Sequence, residues 1–572
     1  MENKITGAEA LLRGLLQEGV TTIFGYPGGA ILPVYDKLYD YSDRLHHILV
    51  RHEQGAIHAA QGYARTSGST GVVIVTSGPG ATNVITGLCD AMIDSTPLVV
   101  ISGQVGAQYL GSDAFQETDF VAMTQSITKW AFQVRRAEDV PSAIERAFYI
   151  ARSGRPGPVV LDIAKDAQIG LLDWHYEPLT YIRSYDPDPQ VDATAVAQAA
   201  DLINNAARPL ILVGQGVAIS GACDELKRFA ERIDAPVAAT LLGLSCFPSV
   251  HRLYKGMLGM HGNIGPNWAT NQADVIVAIG MRFDDRVTGN TEHYARQARI
   301  VHIDIDNSEF DKTVHADVAI HADARQALLA LLPRVHRSKH TEWIEKLDKC
   351  NAVERREVID REMHHTGSKL TMGEVVAAVS AASGSRAIAV TDVGQNQMMT
   401  ARYFNFTETR SLITSGGLGT MGFGLPAAIG AKIARPDREV CYIGGDGGFQ
   451  MTIQELGTIM QYGVAVKMVV LNNNFLGNVR QWQDLFFGKR FSQTPMANPD
   501  FRAIAAAYGI SAEDVAERHQ LHDAVSRMIA SPDAYLLNIN IDETDLVLPM
   551  TPAGKPVDYI MLDRNRLFEF QD

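Results

Sequence analysis

The residues best placed to do chemistry in this chain end two neighbouring apolar strands. Gly445-Asp446-Gly447 follows Glu439-Val-Cys-Tyr-Ile443, and Asn472-Asn473-Asn474 closes Val466-Lys-Met-Val-Val-Leu471. Asp446 offers a hard anionic oxygen, Asn473 an amide oxygen and the chain at Phe475 a backbone carbonyl. Two phosphate oxygens and a water would complete the octahedron that Mg²⁺ demands. Gly445, Gly447 and Gly448 let the backbone approach phosphates, and the following helix turns its N-terminus toward their charge. A Gly-Asp-Gly alone is a common turn, and paired asparagines after a strand are an ordinary loop. Together, at this spacing and at two strand ends, they point to a metal-bound diphosphate.

Other groups are open on their own terms. Glu53, in Val50-Arg-His-Glu-Gln-Gly55, opens a helix whose packing side is small (Ala56, Ala59, Ala60, Ala64). Alone it reads as a helix-N-terminal glutamate; in an apolar, water-poor pocket it could serve proton chemistry. Arg286, in Gly280-Met-Arg-Phe-Asp-Asp-Arg286, reads alone as the partner of Asp284 or Asp285. Met421 reads equally well as core, and Gly214-Gln-Gly216 lacks the third glycine of a dinucleotide fingerprint.

The elements that must position these groups alternate between strand and helix. Thr6-Gly-Ala-Glu9 reads as a capping box before Leu11, Leu12, Leu15 and Leu16. A strand at 20–24, the turn Gly25-Tyr-Pro-Gly-Gly29, the strand Gly71-Val-Val-Ile-Val-Thr76, the turn Ser77-Gly-Pro-Gly80 and the strand Pro97-Leu-Val-Val-Ile101 follow, with Pro158-Val-Val-Leu-Asp162 near the end. Such continuous apolar runs between helices indicate a parallel sheet covered on both faces. The expected fold is α/β, with three doubly wound parallel-sheet domains at 1–168, 191–334 and 370–550. A charged helical connector at 335–369, expected to be exposed, and a tail at 551–572 complete the chain. The strand–Gly turn–helix–strand order at 439–471 echoes that at 71–101 without shared sequence.

Composition narrows the partners. The 572 residues exceed one core, and 46% hydrophobic with 20% charged residues describes globular domains. A net charge of −14 argues against nucleic acid or an anionic membrane as partner. No apolar run is long enough for a bilayer. Met1-Glu-Asn-Lys-Ile-Thr resembles neither a signal peptide nor a transit sequence. Cys89, Cys223, Cys246, Cys350 and Cys441 are scattered, as in a reducing compartment. The expectation is a soluble cytoplasmic protein.

The Gly445–Asn474 spacing resembles the thiamine-diphosphate (ThDP) binding motif. Taken with Gly25-Tyr-Pro-Gly-Gly29, Arg51-His-Glu-Gln54, Thr76-Ser-Gly-Pro-Gly-Ala-Thr-Asn83, Ala114-Phe-Gln-Glu117, the Gly280–Arg286 run, Gly416-Gly-Leu-Gly-Thr-Met-Gly422 and Gln481-Trp-Gln483, nearly the whole chain resembles the acetohydroxyacid synthase (acetolactate synthase) catalytic-subunit family. The resemblance implies pyrimidine-binding, central FAD-binding and diphosphate-binding domains, in that order. It implies ThDP contacts at Gly28, Pro79, Asn83, Gly394, Gln395, Gly419, Met421, Gly445, Gly447 and Gly448, with Mg²⁺ at Asp446, Asn473 and Phe475. Gly419 would accept a hydrogen bond from the aminopyrimidine, and Met421 would support the bent cofactor. Glu53 from one chain would activate ThDP held by another, making a homodimer or tetramer with shared sites.

The reaction implied joins two keto acids. Pyruvate loses CO₂ and its remaining two-carbon unit adds to pyruvate or 2-ketobutyrate, giving 2-acetolactate or 2-aceto-2-hydroxybutyrate. Arg286 would hold the acceptor's carboxylate, Trp482 would favour its extra methyl, and Phe115, Gln116 and Lys165 would line the site. FAD, without net redox work, would contact Arg152, Gly214, Gly216, Thr240, Leu241, Met260, His261, Gly280, Arg282, Asp304 and Asp306. A small regulatory subunit is a further implied partner. Three positions depart from the family pattern: Ala164 where proline is common, Asn478 where methionine is usual, and the stretch Met550-Thr-Pro-Ala-Gly-Lys555. Glu53 speaks against a glyoxylate carboligase, and the Arg282–Arg286 cluster against a flavin-free catabolic relative. A pyruvate oxidase is the remaining alternative among enzymes, and a non-catalytic relic of the fold the alternative outside them.

Overall fold

A computed structural model describes residues 4–571, in which three six-stranded sheets follow one another along the chain. Every strand pairing within these three sheets is parallel. The first contains Thr22–Gly25, His46–Leu49, Gly71–Val75, Leu98–Gln104, Trp130–Val134 and Pro158–Ala164, laid in the order second, first, third, fourth, sixth, fifth. The third contains Ile388–Thr391, Leu412–Ile413, Val440–Gly445, Lys467–Asn472, Ser511–Val515 and Tyr535–Asn540 in that same order. The echo in sequence therefore marks the third and fourth strands of two sheets with identical topology. Strands such as Gly71–Val75 are buried along their whole length, because helices cover both faces.

The middle sheet differs. Pro209–Val213, Val237–Ala239, Tyr254–Met257, Val275–Ile279, Arg299–Asp304 and Val318–His321 are ordered third, second, first, fourth, fifth, sixth. This is the dinucleotide-binding order, whose crevice opens where the first and fourth strands diverge. Gly214 and Gly280 lie at those strand ends. A Cβ on Gly214 would fall 2.1 Å from the Gly280 carbonyl oxygen, so glycine is needed there to let the two loops touch.

Three further contacts assemble the chain. Helix Glu53–Ser67 of the first packs on helix Gly424–Ala434 of the third. The approach is backbone on side-chain-free backbone: a Cβ on Gly62 would lie 2.0 Å from Ala427 O, and one on Gly430 would lie 1.8 Å from Ala59 O. The small residues of the Glu53 helix thus serve a helix–helix contact. The stretch 335–369 is not the exposed connector its charge suggested. Helix Thr341–Glu354 buries Trp343, Ile344, Leu347, Cys350 and Glu354, and the Trp343 indole N–H donates to Pro209 O at 2.9 Å. The tail also rests on the middle unit, with Phe570 stacked on Trp268 at 4.4 Å.

At the N-terminus the expected capping box is half formed. Thr6 Oγ1 accepts the Glu9 N–H, while the Glu9 carboxylate takes Arg13 and Tyr41 instead. No helix among the described residues is long and apolar enough to cross a membrane.

Candidate active site

The Gly445–Asn474 region forms one cluster. Asp446 begins the short helix Asp446–Met451 directly after its strand and is 1% exposed. One carboxylate oxygen accepts the Gly447 N–H at 3.0 Å and the other accepts the Asn498 amide at 2.6 Å. Burial pushes the Asp446 carboxyl up from its ordinary range against those two bonds, so a cation beside it is favoured. Asn473, also buried, accepts the Phe475 N–H at 3.1 Å, which folds the chain back toward Asp446. No cluster of three or more His, Cys, Asp or Glu side chains among the described residues is arranged for a metal. The donor set is thus one carboxylate, one amide and a carbonyl, a hard-oxygen set that suits Mg²⁺.

The surrounding glycines divide into two kinds. A Cβ on Gly445 would meet only Asn396 at 3.4 Å, on Gly419 only Val393 at 3.8 Å, and on Gly394 only Asn396 and Asn478 at 3.8 Å. These line open space, as a cofactor cradle requires. The Met421 terminal methyl lies 3.6 Å from the Cβ position of Gly447, beside Leu476 and Met496. The buried Asn396 Oδ1 has no partner there. Gly448 differs: its Cβ would meet Asp392 Oδ1 at 2.2 Å, so its smallness also serves the packing of Asp392. Gln395 is also used internally. Its amide donates to Gln481 Oε1 at 3.0 Å and Asp545 O at 2.9 Å, bracing helix Gly477–Phe486.

Glu53 belongs to a second cluster, at the carboxyl ends of the first sheet. It opens its helix behind His52, whose Nδ1 accepts the Gln54 N–H. Its carboxylate is buried and accepts the Asn83 amide at 2.9 Å. Gly80 approaches it, and Gly28 is held close to Thr76, where a Cβ would fall at 2.5 Å. Gln116 takes a left-handed φ of 61° and packs under Gly78, beside exposed Pro79. Phe115 is 88% exposed, and Lys165 stands exposed at the start of helix Lys165–Ile169. Ala164, which precedes it, has φ −59°, a value proline shares, so the turn is kept.

A cavity of about 810 Å³ is lined by residues of all three units. Its wall includes Gly214, Gly216, Thr240, Leu241, Met260, His261, Gly280, Arg282, Asp304 and Arg152, together with Gly394, Gly419, Arg286, Asn478 and Trp482. It starts at the switch point of the dinucleotide-type sheet, and its size is that of a cofactor site. His261 Nδ1 is buried there without a partner, and burial pulls the imidazole down to about 3, so it is neutral. Burial pushes Asp304 up to about 7. Asp306 is outside this wall; its carboxylate takes Arg155 at 3.2 Å and Ser308. Arg152 reaches the wall but spends its guanidinium on Glu18 and Thr70. Arg286 pairs with Asp285 at 3.4 Å in an exposed setting, a weak tie that leaves it available.

Comparisons with known proteins agree with this geometry. The thiamine pyrophosphate enzyme N-terminal TPP binding domain matches residues 5–123, the central domain 196–331 and the C-terminal TPP binding domain 392–539. A probable acetolactate synthase large subunit of Methanocaldococcus jannaschii is 45% identical, covering 96% of this chain and 94% of its own. The acetolactate synthase large subunit of Lactococcus lactis is 42% identical over 97% and 96%. The acetolactate synthase isozyme 2 large subunit of Escherichia coli is 42% identical over 96% and 98%. The chain belongs to the acetolactate synthase large-subunit family.

In this family member, several residues that hold the cradle carry no obvious signal in sequence. Asp392 is fully buried and accepts the N–H groups of Val393 (2.8 Å), Gly422 (3.1 Å) and Gly424 (3.1 Å). Asp90 and Asp94, from helix Ile85–Ile93 and its end, hold the same loop from the first unit. The Gly416 and Gly417 N–H groups donate to Asp94 at 2.9 and 2.8 Å, and Ser415 donates to Asp90. Arg65 pairs with Asp94 at 2.8 Å and donates to Thr414 O, completing a buried charged junction. Asn498, reaching Asp446, Asn472 and Asn474, is equally silent in the sequence. The four-residue spacing of Asp90 and Asp94 within an apolar helix is the one available clue.

Proposed function

We propose that this chain is the catalytic subunit of a ThDP- and Mg²⁺-dependent carboligase that makes 2-acetolactate from pyruvate, and 2-aceto-2-hydroxybutyrate when 2-ketobutyrate is the acceptor. The observation that carries the reading is one cavity in which Arg286 and Trp482 face Gly394 and Gly419. Acceptor-binding groups and cofactor cradle thereby share a single space.

Asp446, Asn473 and the Phe475 carbonyl would hold Mg²⁺ beside the cofactor's diphosphate. Gly419 and Met421 would contact the middle of the cofactor. Bound ThDP supplies the electron sink that lets pyruvate lose CO₂. Glu53, whose carboxylate accepts the Asn83 amide, would hold a proton facing the aminopyrimidine. Arg286 orients the acceptor by its carboxylate. Trp482 offers apolar surface to the acceptor's alkyl group, while Phe115, Gln116 and Lys165 close the site. Gly214, Gly216, Thr240, Leu241, Met260, His261, Arg282 and Asp304 of the cavity wall would hold FAD.

Glu53 and Asp446 belong to complementary halves of one site supplied by two copies of the chain, in a homodimer or a tetramer. The exposure of Phe115 (88%), Leu32 (57%) and Tyr26 (40%) around the Glu53 cluster supports a covering partner. A small regulatory chain is the further partner, in keeping with the relatives' names as large subunits. The five free thiols fit a cytoplasmic setting.

The test is product analysis with pyruvate and 2-ketobutyrate together, with ThDP and Mg²⁺, with and without FAD. Both acetohydroxy acids are expected. Acetate or acetyl phosphate formed with flavin bleaching would instead establish an oxidase, a reading the relatives do not favour.

A further inference from the structure

Asn478 is the second residue of helix Gly477–Phe486, four before Trp482, so both side chains leave one face of that helix. Both line the cavity, among Val393, Met398 and Leu418. The Asn478 Oδ1 is buried and has no hydrogen-bond partner. Nearby Asn396 likewise leaves its Oδ1 unpaired, while the glutamines around it are engaged. Gln397 donates to Thr414 and Ser415, and Gln481 faces Gln395 and Val547. An unpaired amide in an apolar wall is a standing cost unless a ligand meets it. An alkyl group such as the ethyl of 2-ketobutyrate satisfies Trp482 and leaves the amide unpaired. A hydroxyl both donates and accepts, so it meets either end of an amide.

We propose that Asn478 makes the acceptor end of the cavity a site for 2-keto acids whose side chain carries a hydroxyl group. This deepens the carboligase reading above and rests on it. In the reaction the C1–C2 bond of pyruvate breaks and releases CO₂. A new bond joins pyruvate C2 to the carbonyl carbon of the acceptor, and one proton taken up from solvent ends on the new tertiary hydroxyl, because pyruvate reacts as its carboxylate. The side-chain hydroxyl of the acceptor is retained, and no oxidant or reductant is needed.

The experiment is a competition at fixed pyruvate between equal 2-ketobutyrate and 4-hydroxy-2-ketobutyrate, with products counted by mass. It is run on the wild-type holoenzyme and on Asn478→Leu and Asn478→Ala. The wild type is expected to favour the hydroxylated acceptor on the order of tenfold more than either variant does. Equal product ratios in all three, with acetolactate formed normally by the wild type, would overturn the proposal and leave the carboligase reading standing. The proposal falls in the same way if the variants lose FAD but keep the wild-type ratio, because Asn478 then serves the flavin. A wild type that forms no acetolactate from pyruvate alone overturns both.

Discussion

Replacing Gly62 with alanine asks helix Glu53–Ser67 to hold a methyl group where the Ala427 carbonyl oxygen already lies. The added Cβ would sit 2.0 Å from that oxygen, 2.7 Å from the carbonyl carbon and 2.8 Å from Ala427 Cα. Ordinary contact begins near 3.4 Å, so the helices must part locally by about 1.4 Å. The obstacle is backbone, and no side-chain rotation relieves it. Gly430 makes the reciprocal approach to Ala59 O at 1.8 Å, so separation at one point opens the other. Overpacking of this kind costs roughly 1–3 kcal/mol.

The larger effect is on catalysis. Glu53 starts the displaced helix, and its neighbours Arg51 and His52 donate backbone N–H groups to Glu455 of the third unit. A shift of about 1 Å at a reacting group can lower turnover about 10²-fold. Gly62→Ala is therefore expected to lower the urea midpoint and to reduce kcat for acetolactate on the order of a hundredfold. Ser67→Ala, at the exposed end of the same helix, is the control, expected within about 0.5 kcal/mol of wild type. Wild-type kcat and an unmoved midpoint in Gly62→Ala would refute the claim that this contact sets the position of Glu53.

Asp446→Ala is expected to weaken retention of Mg²⁺–ThDP at least about tenfold in equilibrium dialysis; unchanged affinity removes Asp446 from the metal site. Trp482→Leu should lower the preference for 2-ketobutyrate over pyruvate by roughly 1–3 kcal/mol in a product-ratio assay, and an unmoved ratio excludes Trp482 from that choice. Asp304, raised to about 7 from an ordinary 3.8, favours the folded state while protonated, so its contribution is full below pH 4 and is lost as pH rises toward 7. Without added cofactor, Asp304→Asn should therefore gain stability over wild type at pH 8, by roughly 4 kcal/mol at most, and match it near pH 4; parallel stability curves contradict the assignment. Glu53→Gln and Asp446→Ala proteins, each inactive alone, should regain about a quarter of wild-type activity when co-refolded, because half the dimers are mixed and each holds one intact site; no recovery in verified mixed dimers argues against shared sites.

The chemistry legible in the sequence is the part that lies contiguously at strand ends. Asp446 and Asn473 can be read because a parallel sheet places its third and fourth strands side by side, so two short motifs converge without further information. The central Gly214-Gln-Gly216 is a weak signal, and strand order supplies the missing part. The stretch 335–369 misleads because its charges suggest exposure while its period indicates burial. Trp343, Leu347, Cys350 and Glu354 recur at helical spacing and form the buried face. The Thr6–Glu9 pattern is half right, since Arg13 and Tyr41 compete successfully for the Glu9 carboxylate.

The groups that the sequence does not reveal act across domains. Asp392 is one carboxylate after a four-residue strand, and nothing near it in sequence distinguishes it from a loop aspartate. In the fold it accepts N–H groups from its own turn and from the Gly422–Gly424 segment, and Gly448 packs against it. Burial lifts Asp392 to about 6, while the N–H groups of Val393, Gly422 and Gly424 pull the other way by favouring its charged form. The same loop is gripped from the other side by Asp94, through Gly416 and Gly417. Gly419 lies between the two anchors, at φ 73°, with open space at its Cβ position. On the proposed function, the carbonyl that would meet one ring of the cofactor is thus fixed by carboxylates from two domains. Its precision depends on their docking, which the Gly62–Ala427 and Gly430–Ala59 contacts set.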